Sequence, residues 1–499
     1  MLIVGAGPTG LVLALWLTNL GVRIHIVDRL AEPGTTSRAL AIQGRTLEFY
    51  QQIGLARNVM ERSHKVPALN LWVKSAQATR VPIETMGLGL TPFPNPVIFP
   101  QDEHEQFLIE RLRQAGVEVE RPVELAGFAE DGATVRATLR RAGSEETRTY
   151  AYLAGCDGAR SKVREVVGAG FPGGTYDHLF YVADVEAAGP PMNGELHVDL
   201  DEADFLAVFP LKEAGHARLI GSVRDSAAKD HEHLQFEDVR DRAIRNLKID
   251  VKQVNWFSTY RVHHRVAQHF RMGRAFLLGD AAHVHSPVGG QGMNTGIGDA
   301  VNLAWKLAAS LKDPAGDSIL DSYEPERIAF ARRLVATTDR VFSGVLDPGG
   351  FARWARTKII PSFAPMLFRF GWIRRLAFRT VSQIAVNYRN SSLSSGSAGR
   401  IHGGDRLPWV GDNFDCLTSL RWQVHIYGAA APDMRAWCDG NGLPMHVFPW
   451  RSAMQGAGLM RDALYLVRPD GYVALADPAA RAAAIEDYFN LRRIKANFP

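Results

Sequence analysis

Two glycine-rich segments, far apart in the chain, constrain its fold more than any other feature. The first, Leu2-Ile-Val-Gly5-Ala-Gly7-Pro-Thr-Gly10, is an apolar stretch that runs into a glycine turn. The second contains Gly279-Asp280 and continues through a glycine-rich loop to Asn294. We predict that each segment follows a strand and opens a helix, which is the context that a dinucleotide-binding turn requires. The pair therefore predicts an α/β fold built around a bound dinucleotide.

Each glycine of the first segment has a separate predicted task. Gly5 lets the chain turn, Gly7 lets the backbone approach a pyrophosphate, and Gly10 lets the helix pack against the strand. We predict that helix over Leu11–Leu20, with the phosphates at its N-terminus. A chance glycine-rich turn is the alternative interpretation of this segment.

An acidic residue follows the second predicted strand, Val22–Val27, and bears on the identity of the dinucleotide. Asp28 is spaced to accept hydrogen bonds from the adenosine ribose hydroxyls, and it would repel a 2′-phosphate. FAD and NAD fit this site and NADP does not. The first segment alone does not decide between FAD and NAD.

The second segment favours a flavin. A predicted strand over Ala275–Leu278 delivers Asp280 to a strand end, where an aspartate can bond ribityl hydroxyls. Backbone amides of Gly292, Met293 and Asn294, at the start of the helix that carries Asp299, can bond the electron-rich edge of an isoalloxazine. We expect Pro287 to add a rigid wall beside the ring.

A third motif, Ala154-Gly155-Cys-Asp157-Gly158-Ala-Arg160, lies between the other two. With all three in this order, nearly the whole chain resembles the FAD-dependent aromatic hydroxylases. These are the single-component flavoprotein monooxygenases related to p-hydroxybenzoate hydroxylase and to the phenol and aromatic polyketide hydroxylases. The resemblance implies FAD as cofactor and NADPH or NADH as co-substrate.

The resemblance also assigns roles to individual residues. Asp157 and Arg160 are expected to serve both FAD and the nicotinamide, Gln101 to touch the flavin side chain, and Arg38 and Arg45 to meet phosphate or the flavin edge. Solvated loop or helix positions are the alternative for these polar residues. The expected cofactor-binding residues are Gly5, Gly7, Gly10, Asp28, Arg29, Arg38, Arg45, Gln101, Asp157, Gly158, Arg160, Gly279, Asp280, Gly290, Gly292, Met293 and Asn294. Pro287 and His283 are the expected catalytic residues, although His283 fits a role in organising the helix and loop better, and no metal site is expected.

The domain organisation is predicted from Pro-, Gly- and Ser-rich breaks between patterned segments and from the resemblance. We predict an α/β protein with a discontinuous, Rossmann-like FAD-binding domain, an inserted substrate-binding domain with an antiparallel sheet, and a thioredoxin-like C-terminal domain without a Cys-x-x-Cys motif. A helical segment and linker separate the last two. The predicted boundaries are 1–175 with 265–345, then 176–264, 346–395 and 396–499.

The implied reaction is hydroxylation of a phenolic or polycyclic aromatic compound by dioxygen through a flavin C4a-hydroperoxide. Oxidative inactivation of a bulky antibiotic by the same chemistry stays open, as does a non-catalytic, flavin-binding redox sensor. The base that ionises the phenol is not identified, and the sequence departs from some biphenyl-hydroxylating relatives by having Leu40 and Ile42 where they carry a histidine. Candidate bases are Tyr181, His197, Asp225, His263 and His264.

Composition excludes several other classes. The 499 residues carry a net charge of only +4, with the positive charges dispersed, so neither nucleic acid nor a stable membrane association is predicted. Three cysteines at irregular spacing suit neither a zinc site nor a disulfide framework, which favours the cytoplasm. The expected partners are a small aromatic substrate and dioxygen, and a homodimer is possible. Because the first strand starts next to Met1, we expect that a few natural N-terminal residues are missing.

Overall fold

The structure is a computed structural model. It describes residues 1–34, 39–73, 75–199, 205–223, 234–239, 242–286, 288–346, 359, 363 and 366–495. Side chains of 177, 242–243, 288, 314–316 and 341–346 are outside this description.

A six-stranded sheet, here called the nucleotide sheet, contains the first glycine segment at its centre. Its strands are parallel except for one edge pair, because each strand is reached through a crossover. In spatial order they are Arg271–Met272, Ala275–Leu277, Leu153–Gly155, Leu2–Val4, His25–Val27 and Val119–Glu120. The three predicted motifs therefore follow three neighbouring strands and meet at one edge of the sheet.

Helices pack on the nucleotide sheet and on one another. The two that follow the glycine segments are Pro8–Asn19 and Gly292–Lys312, and both are almost wholly buried. Pro8–Asn19 starts three residues before the predicted helix, because Pro8 is pre-organised for the first helical turn. The other helices of this part are Gly44–Gln52, Ala56–Arg62, Gln101–Gln114, Lys162–Val166 and Tyr323–Leu346. Two small sheets flank it, with strands Glu124–Asp131, Thr134–Arg141 and Ser144–Tyr150 in one and Ala41–Ile42, Val97–Ile98 and His64–Lys65 in the other.

An eight-stranded sheet, here called the large sheet, is formed by the middle of the chain. Its strands in spatial order are His283–Val284, Asp250–Val266, Gly173–Ala188, His216–Val223, Leu206–Pro210, Leu196–Asp199, Ala68–Val73 and Ala76–Pro82. Two differences from the prediction are clear. The sheet recruits the hairpin 68–82 from outside 176–264, and the pair formed by Leu196–Asp199 and Ala68–Val73 is parallel, whereas the other pairs are antiparallel.

The two faces of the large sheet differ in what they meet. Alternation along each strand puts Tyr181 and Leu219 on one face and Val182 and Ile220 on the other. The first face is closed by the short helices Phe236–Val239 and Arg242–Asn246. The second, here called the inner face, meets Leu40, Val66 and Ile98.

The C-terminal part forms a third sheet, of strands Ile401–His402, Ser395–Ala398, Val473–Asp477, Leu464–Val467, Gln423–Tyr427 and Met445–Phe448. Its helices are Pro432–Gly440, Ser452–Gly456 and Ala482–Arg492, and Gly371–Val381 precedes it. Its core is continuous with that of the nucleotide sheet. Trp305 and Trp422 meet edge to face, with ring centroids 5.5 Å apart.

The cysteines bear on disulfide bonding, and the helices bear on membrane crossing. Cys156, Cys416 and Cys438 are all free thiols. Over the part of the chain that the structure describes, no helix combines the length and the apolar character that crossing a bilayer demands.

Candidate functional site

The first glycine turn has the geometry that a diphosphate requires. Gly5 has φ +102°, and a Cβ there would lie 2.3 Å from the Cys156 carbonyl oxygen. A Cβ on Gly10 would lie 2.0 Å from the Gly5 oxygen, so both positions require glycine for close packing. Gly7 is different, since within the described residues a Cβ there would have one neighbour within 4 Å, the Glu105 carboxylate at 4.0 Å. The described residues thus leave the space in front of Gly7 open.

Asp28 closes this turn from the end of strand His25–Val27. Its carboxylate accepts hydrogen bonds from the backbone amides of Ala6, at 2.7 Å, and Leu30, at 2.9 Å, and pairs with Arg121 at 3.2 Å. The aspartate therefore shapes the glycine turn, and its role toward a ribose stays a prediction. Arg29, the next residue, has an exposed side chain.

Gln101 is the first residue of helix Gln101–Gln114, where the prediction allowed an exposed loop. Its backbone amide donates to the Ala39 carbonyl at 3.1 Å, and its side-chain amide donates to Glu105 at 2.7 Å. Glu105 lies one turn further along the helix and is buried. Sequence reasoning missed Glu105, although its spacing of four from Gln101 puts both on one helix face.

The middle motif forms a turn directly after strand Leu153–Gly155. One carboxylate oxygen of Asp157 accepts from the Val163 amide at 3.1 Å, and the other is buried without a hydrogen-bond partner in the described part of the chain. Gly158 has φ +78° and open space at its Cβ position, and Arg160 is exposed. A buried oxygen beside an open turn and an exposed arginine leaves room for a ligand with hydroxyl and anionic groups.

The third motif meets the first at Gly279 and Thr9. Gly279 has φ +58°, and a Cβ on it would lie 2.6 Å from the Thr9 hydroxyl, so the loop before Asp280 packs tightly on the first helix. Asp280 itself is exposed at the strand end. The predicted aspartate therefore stands at the edge of the sheet where the glycine turn lies.

The second helix begins at Gly292, as the predicted role of its amides requires. Thr295 makes the first intrahelical bond, to Gln291, so the amides of Gly292, Met293 and Asn294 have no acceptor within the helix. The side-chain amide of Asn294 accepts two hydrogen bonds and donates two. It accepts from the Gln43 amide and the Thr46 hydroxyl and donates to the carbonyls of Ala41 and Gly290, all at 2.8–2.9 Å. Asn294 thus ties the loop, through Gly290, to segment 41–46.

His283 is buried, with only 2% of its surface exposed. Its Nε2 lies 2.7 Å from Asp299, which also accepts from the Gly279 amide at 3.0 Å and from Arg327 at 2.6 Å. Burial alone would raise the pKa of Asp299, but Arg327 and His283 outweigh it and hold that pKa below its usual value. His283 therefore helps to fix the loop that carries Asp280.

A second histidine of the motif, His285, has a nitrogen available to a ligand. Nδ1 lies 2.7 Å from the Ser286 carbonyl, whereas the buried Nε2 has no partner in the described structure and lies 3.8 Å from the Cβ position of Gly292. Burial lowers the pKa of His285 to about 4, and nearby His283 acts in the same direction. The sequence signal that could have found it is its place two residues after His283.

Arg45 does not have the expected surroundings. Its guanidinium is buried and donates to the Glu48 carboxylate and to the Asp470 carbonyl, each at 2.8 Å, while stacking on Phe49 and Tyr472. Through these contacts Arg45 joins the C-terminal part to helix Gly44–Gln52. Arg38 and Pro287, two other predicted site residues, lie outside the described residues.

The inner face of the large sheet lies next to the loop that contains Gly290 and ends at Gly292. Leu40 belongs to the same apolar cluster as Val182 and Ile220, and Ala41, packed on that cluster, would touch a Cβ on Gly290 at 2.9 Å. The aromatic side chains on the cluster are half-buried. They are Phe205, Phe209, Trp256 and Tyr260.

The candidate bases on the large sheet either lie away from its inner face or contact other side chains. Tyr181 faces the opposite side of the sheet, and both ring nitrogens of His197 are bonded, one to Trp72 at 2.9 Å and one to Asn193 at 2.8 Å. His263 lies 2.7 Å from the Thr175 hydroxyl, and His264 packs on Tyr176. Asp225 lies outside the described residues.

Comparison with known proteins agrees with this geometry. A family model described as "FAD binding domain" matches residues 1–338. The 6-methylpretetramide 4-monooxygenase of Streptomyces rimosus is 33% identical over 516 residues, which cover 95% of this chain and 90% of that protein. Pentachlorophenol 4-monooxygenase of Sphingobium chlorophenolicum is 30% identical and covers 82% of this chain and 75% of its own. Dialkyldecalin synthase of Streptomyces rugosporus is 30% identical over 98% of both chains.

Two solved structures share the whole architecture. The OxyS anhydrotetracycline hydroxylase from Streptomyces rimosus superposes with a TM-score of 0.79 at 27% identity, covering 100% of this chain and 99% of its own. CabE, an aromatic hydroxylase from angucycline biosynthesis, gives a TM-score of 0.77 at 26% identity over 98% of both chains. The open cradle at Gly7, the strand-end Asp280 and the amides at Gly292 fit FAD. The chain belongs to the FAD-binding-domain family of FAD-dependent aromatic monooxygenases and is a flavoprotein oxidoreductase with NAD(P)H as co-substrate.

Proposed function

We propose that the enzyme uses dioxygen to hydroxylate a polycyclic phenolic compound held between the inner face of the large sheet and the loop that ends at Gly292. The observation that carries this is the apolar inner face, which packs on Leu40 and Ala41 at the point where Ala41 lies against Gly290 of that loop. Wide aromatic rings bury well on such a surface. Two relatives are named for 6-methylpretetramide and anhydrotetracycline, which supports a ligand of this kind.

Bound FAD supplies the transfer of electrons from NAD(P)H to dioxygen. The protein holds the cofactor with the Gly7 turn, Asp28, Asp280 and the Gly292 amides, and Asp157 with Arg160 serves both FAD and the nicotinamide. The apolar inner face excludes water from the reacting ring and fixes the ring's orientation. His283, with its Nε2 on Asp299, positions the cofactor loop and takes no part in proton transfer.

The substrate ring reaches its ionised form without a protein base drawn from the candidates on the large sheet. Within the described residues, Tyr181 faces away from the inner face, His197 and His263 have hydrogen-bond partners, and the ring of His264 packs on Tyr176. This step requires a ring that is already acidic, because a simple phenol, whose pKa is about 10, stays protonated near neutral pH. We therefore expect poor turnover of simple phenols.

The domain roles follow the same family pattern. We assign 176–264, together with the hairpin 68–82, to substrate binding and 396–499 to a thioredoxin-like domain. Support for the latter is a parallel strand–helix–strand unit, Gln423–Tyr427 to Met445–Phe448, followed by an antiparallel pair and helix Ala482–Arg492. Cytoplasmic location and a homodimer remain predictions.

The test is oxidation of NADPH and NADH by the FAD-loaded enzyme in air, across simple phenols and polyhydroxylated polycyclic phenols. Product mass and hydrogen peroxide are followed together. Acceleration with a mass gain of one oxygen atom, for the polycyclic compounds only, supports the proposal. Turnover of simple phenols overturns the base-free step, and acceleration with peroxide alone overturns the substrate class.

A second candidate, a cyclase that keeps FAD for structure, is favoured by one finding, the 98% coverage of dialkyldecalin synthase. It predicts that no aromatic compound accelerates NAD(P)H oxidation although FAD is bound. A redox sensor gives the same result, but its FAD is reduced by NAD(P)H without any substrate. If a bulky phenolic antibiotic is added to the panel and is hydroxylated, oxidative inactivation becomes the favoured function.

A further inference from the structure

Glu105 borders the glycine turn at Gly7. Its side chain reaches from helix Gln101–Gln114 toward the glycine turn, and only 6% of the residue is exposed. Its two carboxyl oxygens lie 4.0 Å from the Cβ positions of Gly7 and Gly34 respectively. The Gly7 turn is where the backbone must approach a diphosphate, so this carboxyl group faces the most negative part of FAD.

We propose that Glu105 binds FAD as a neutral carboxylic acid that donates a hydrogen bond to the diphosphate, and that FAD binding therefore takes up a proton in alkaline solution. An ionised carboxyl at this position would repel the diphosphate across a buried space. A protonated one has an O–H donor for a phosphate oxygen. The carboxyl also accepts from the Gln101 amide at 2.7 Å, so one group orients Gln101 and contacts the cofactor.

The burial of Glu105 favours its neutral form. Burial raises the pKa of Glu105 to about 7; Asp28 and Asp102 act in the same direction, and Gln101 and Arg121 oppose them. Arg121 is already paired with Asp28 at 3.2 Å. Each negative charge that FAD brings raises this pKa further in the complex.

The expected result follows from linkage between protonation and binding. Below about pH 7 the free protein already carries the proton, so affinity for FAD is constant. Above it, each binding event must take up one proton, and the dissociation constant rises by about tenfold per pH unit. Glu105→Gln keeps a neutral side chain with an N–H donor, so its FAD affinity should not change with pH.

The experiment titrates FAD into FAD-free protein from about pH 6 to about pH 8.5, following flavin fluorescence and calorimetry in two buffers of different ionisation enthalpy. Glu110→Gln, on the exposed side of the same helix, is the matched control and should behave as wild type. Thermal melting of each FAD-free variant checks folding.

Three outcomes overturn the proposal: constant wild-type affinity over the whole pH range, no proton uptake in the alkaline half, or an unchanged pH dependence in Glu105→Gln. The first two need no variant. Because the readout is FAD binding, these results do not depend on the substrate or on hydroxylation, and the proposed function can fail or hold separately.

Discussion

Arg468, in the turn between two C-terminal strands, makes a bidentate pair with Glu326, with N–O distances of 2.8 and 3.0 Å, and both residues are fully buried. Lys306 lies 2.8 Å from the same carboxylate, and Arg468 also pairs with Asp470. Burial alone would raise the pKa of Glu326, but Arg468 and Lys306 hold it well below its usual value. The network joins the C-terminal part to the helices around the nucleotide sheet.

Replacing Arg468 should therefore destabilise the whole protein. Arg468→Met leaves Glu326 and Asp470 buried with less compensation, for which we expect a loss of about 3–5 kcal/mol in the free energy of unfolding. Urea denaturation measures it. Arg451→Met breaks a pair with Asp412 in which both side chains are about half exposed, and it should cost under about 1 kcal/mol. Equal losses in the free energy of unfolding for the two variants would show that the buried network stabilises the protein no more than an exposed pair does.

Asp280 is expected to retain FAD through its strand-end carboxylate. Asp280→Ala removes a charged acceptor, worth about 1.5–3 kcal/mol, so the FAD dissociation constant should rise about tenfold to a hundredfold. Flavin fluorescence titration measures this. Asp321→Ala, which removes an exposed aspartate paired with Arg271, is the control and should leave FAD affinity unchanged.

Arg160 is expected to serve both FAD and the nicotinamide, with the larger effect on the nicotinamide. Arg160→Ala should slow flavin reduction by NAD(P)H about tenfold or more in anaerobic stopped-flow measurements, while FAD content changes much less. Lys162→Ala, two residues away and paired with Glu165, tests whether any lost positive charge has this effect. An unchanged reduction rate in Arg160→Ala, or a loss of FAD larger than the loss of reduction rate, would contradict this assignment.

His283 should behave as a positioning residue. His283→Asn loses the bond to Asp299, so FAD affinity should fall, and the pH profile of turnover at saturating FAD should keep its shape. A shift or loss of one limb of that profile would show that His283 transfers a proton.

Buried neutral histidines predict a loss of stability in acid. Burial lowers the pKa of both His104 and His425 to about 3, from 6.5. Their contribution to stability is complete above about pH 6.5 and is lost as the pH falls toward 3, by up to about 1.4 kcal/mol per pH unit for each histidine. His425→Gln should reduce that slope between about pH 6.5 and about pH 4 in urea denaturation. His402→Gln, at an exposed position, should not.

The parts of the site that depend on local geometry could be predicted from the sequence. The turn at Gly5 and the close packing at Gly10 were predicted because such contacts require recognisable glycines, whereas the packing of Gly279 on Thr9 was not predicted. The FAD dependence and the monooxygenase family were predicted correctly from three motifs in order.

Partners distant in sequence could not be predicted in this way. Arg45 was assigned to the cofactor because nothing local shows that Asp470, 425 residues later, accepts from it. The parallel pairing of Leu196–Asp199 with Ala68–Val73 likewise depends on two distant segments, each of which resembles an ordinary antiparallel strand.

The Arg468–Glu326 pair also bears on the order in which the protein matures during synthesis. Nascent domains generally fold from the N-terminal end as they leave the ribosome. Here the helices around the nucleotide sheet hold Glu326, whose second cationic partner belongs to the turn between two C-terminal strands, more than 140 residues later. The cofactor-binding part therefore cannot reach its final packing until that turn has been synthesised, and a stalled chain that stops before Arg468 would expose an incomplete core to chaperones and proteases.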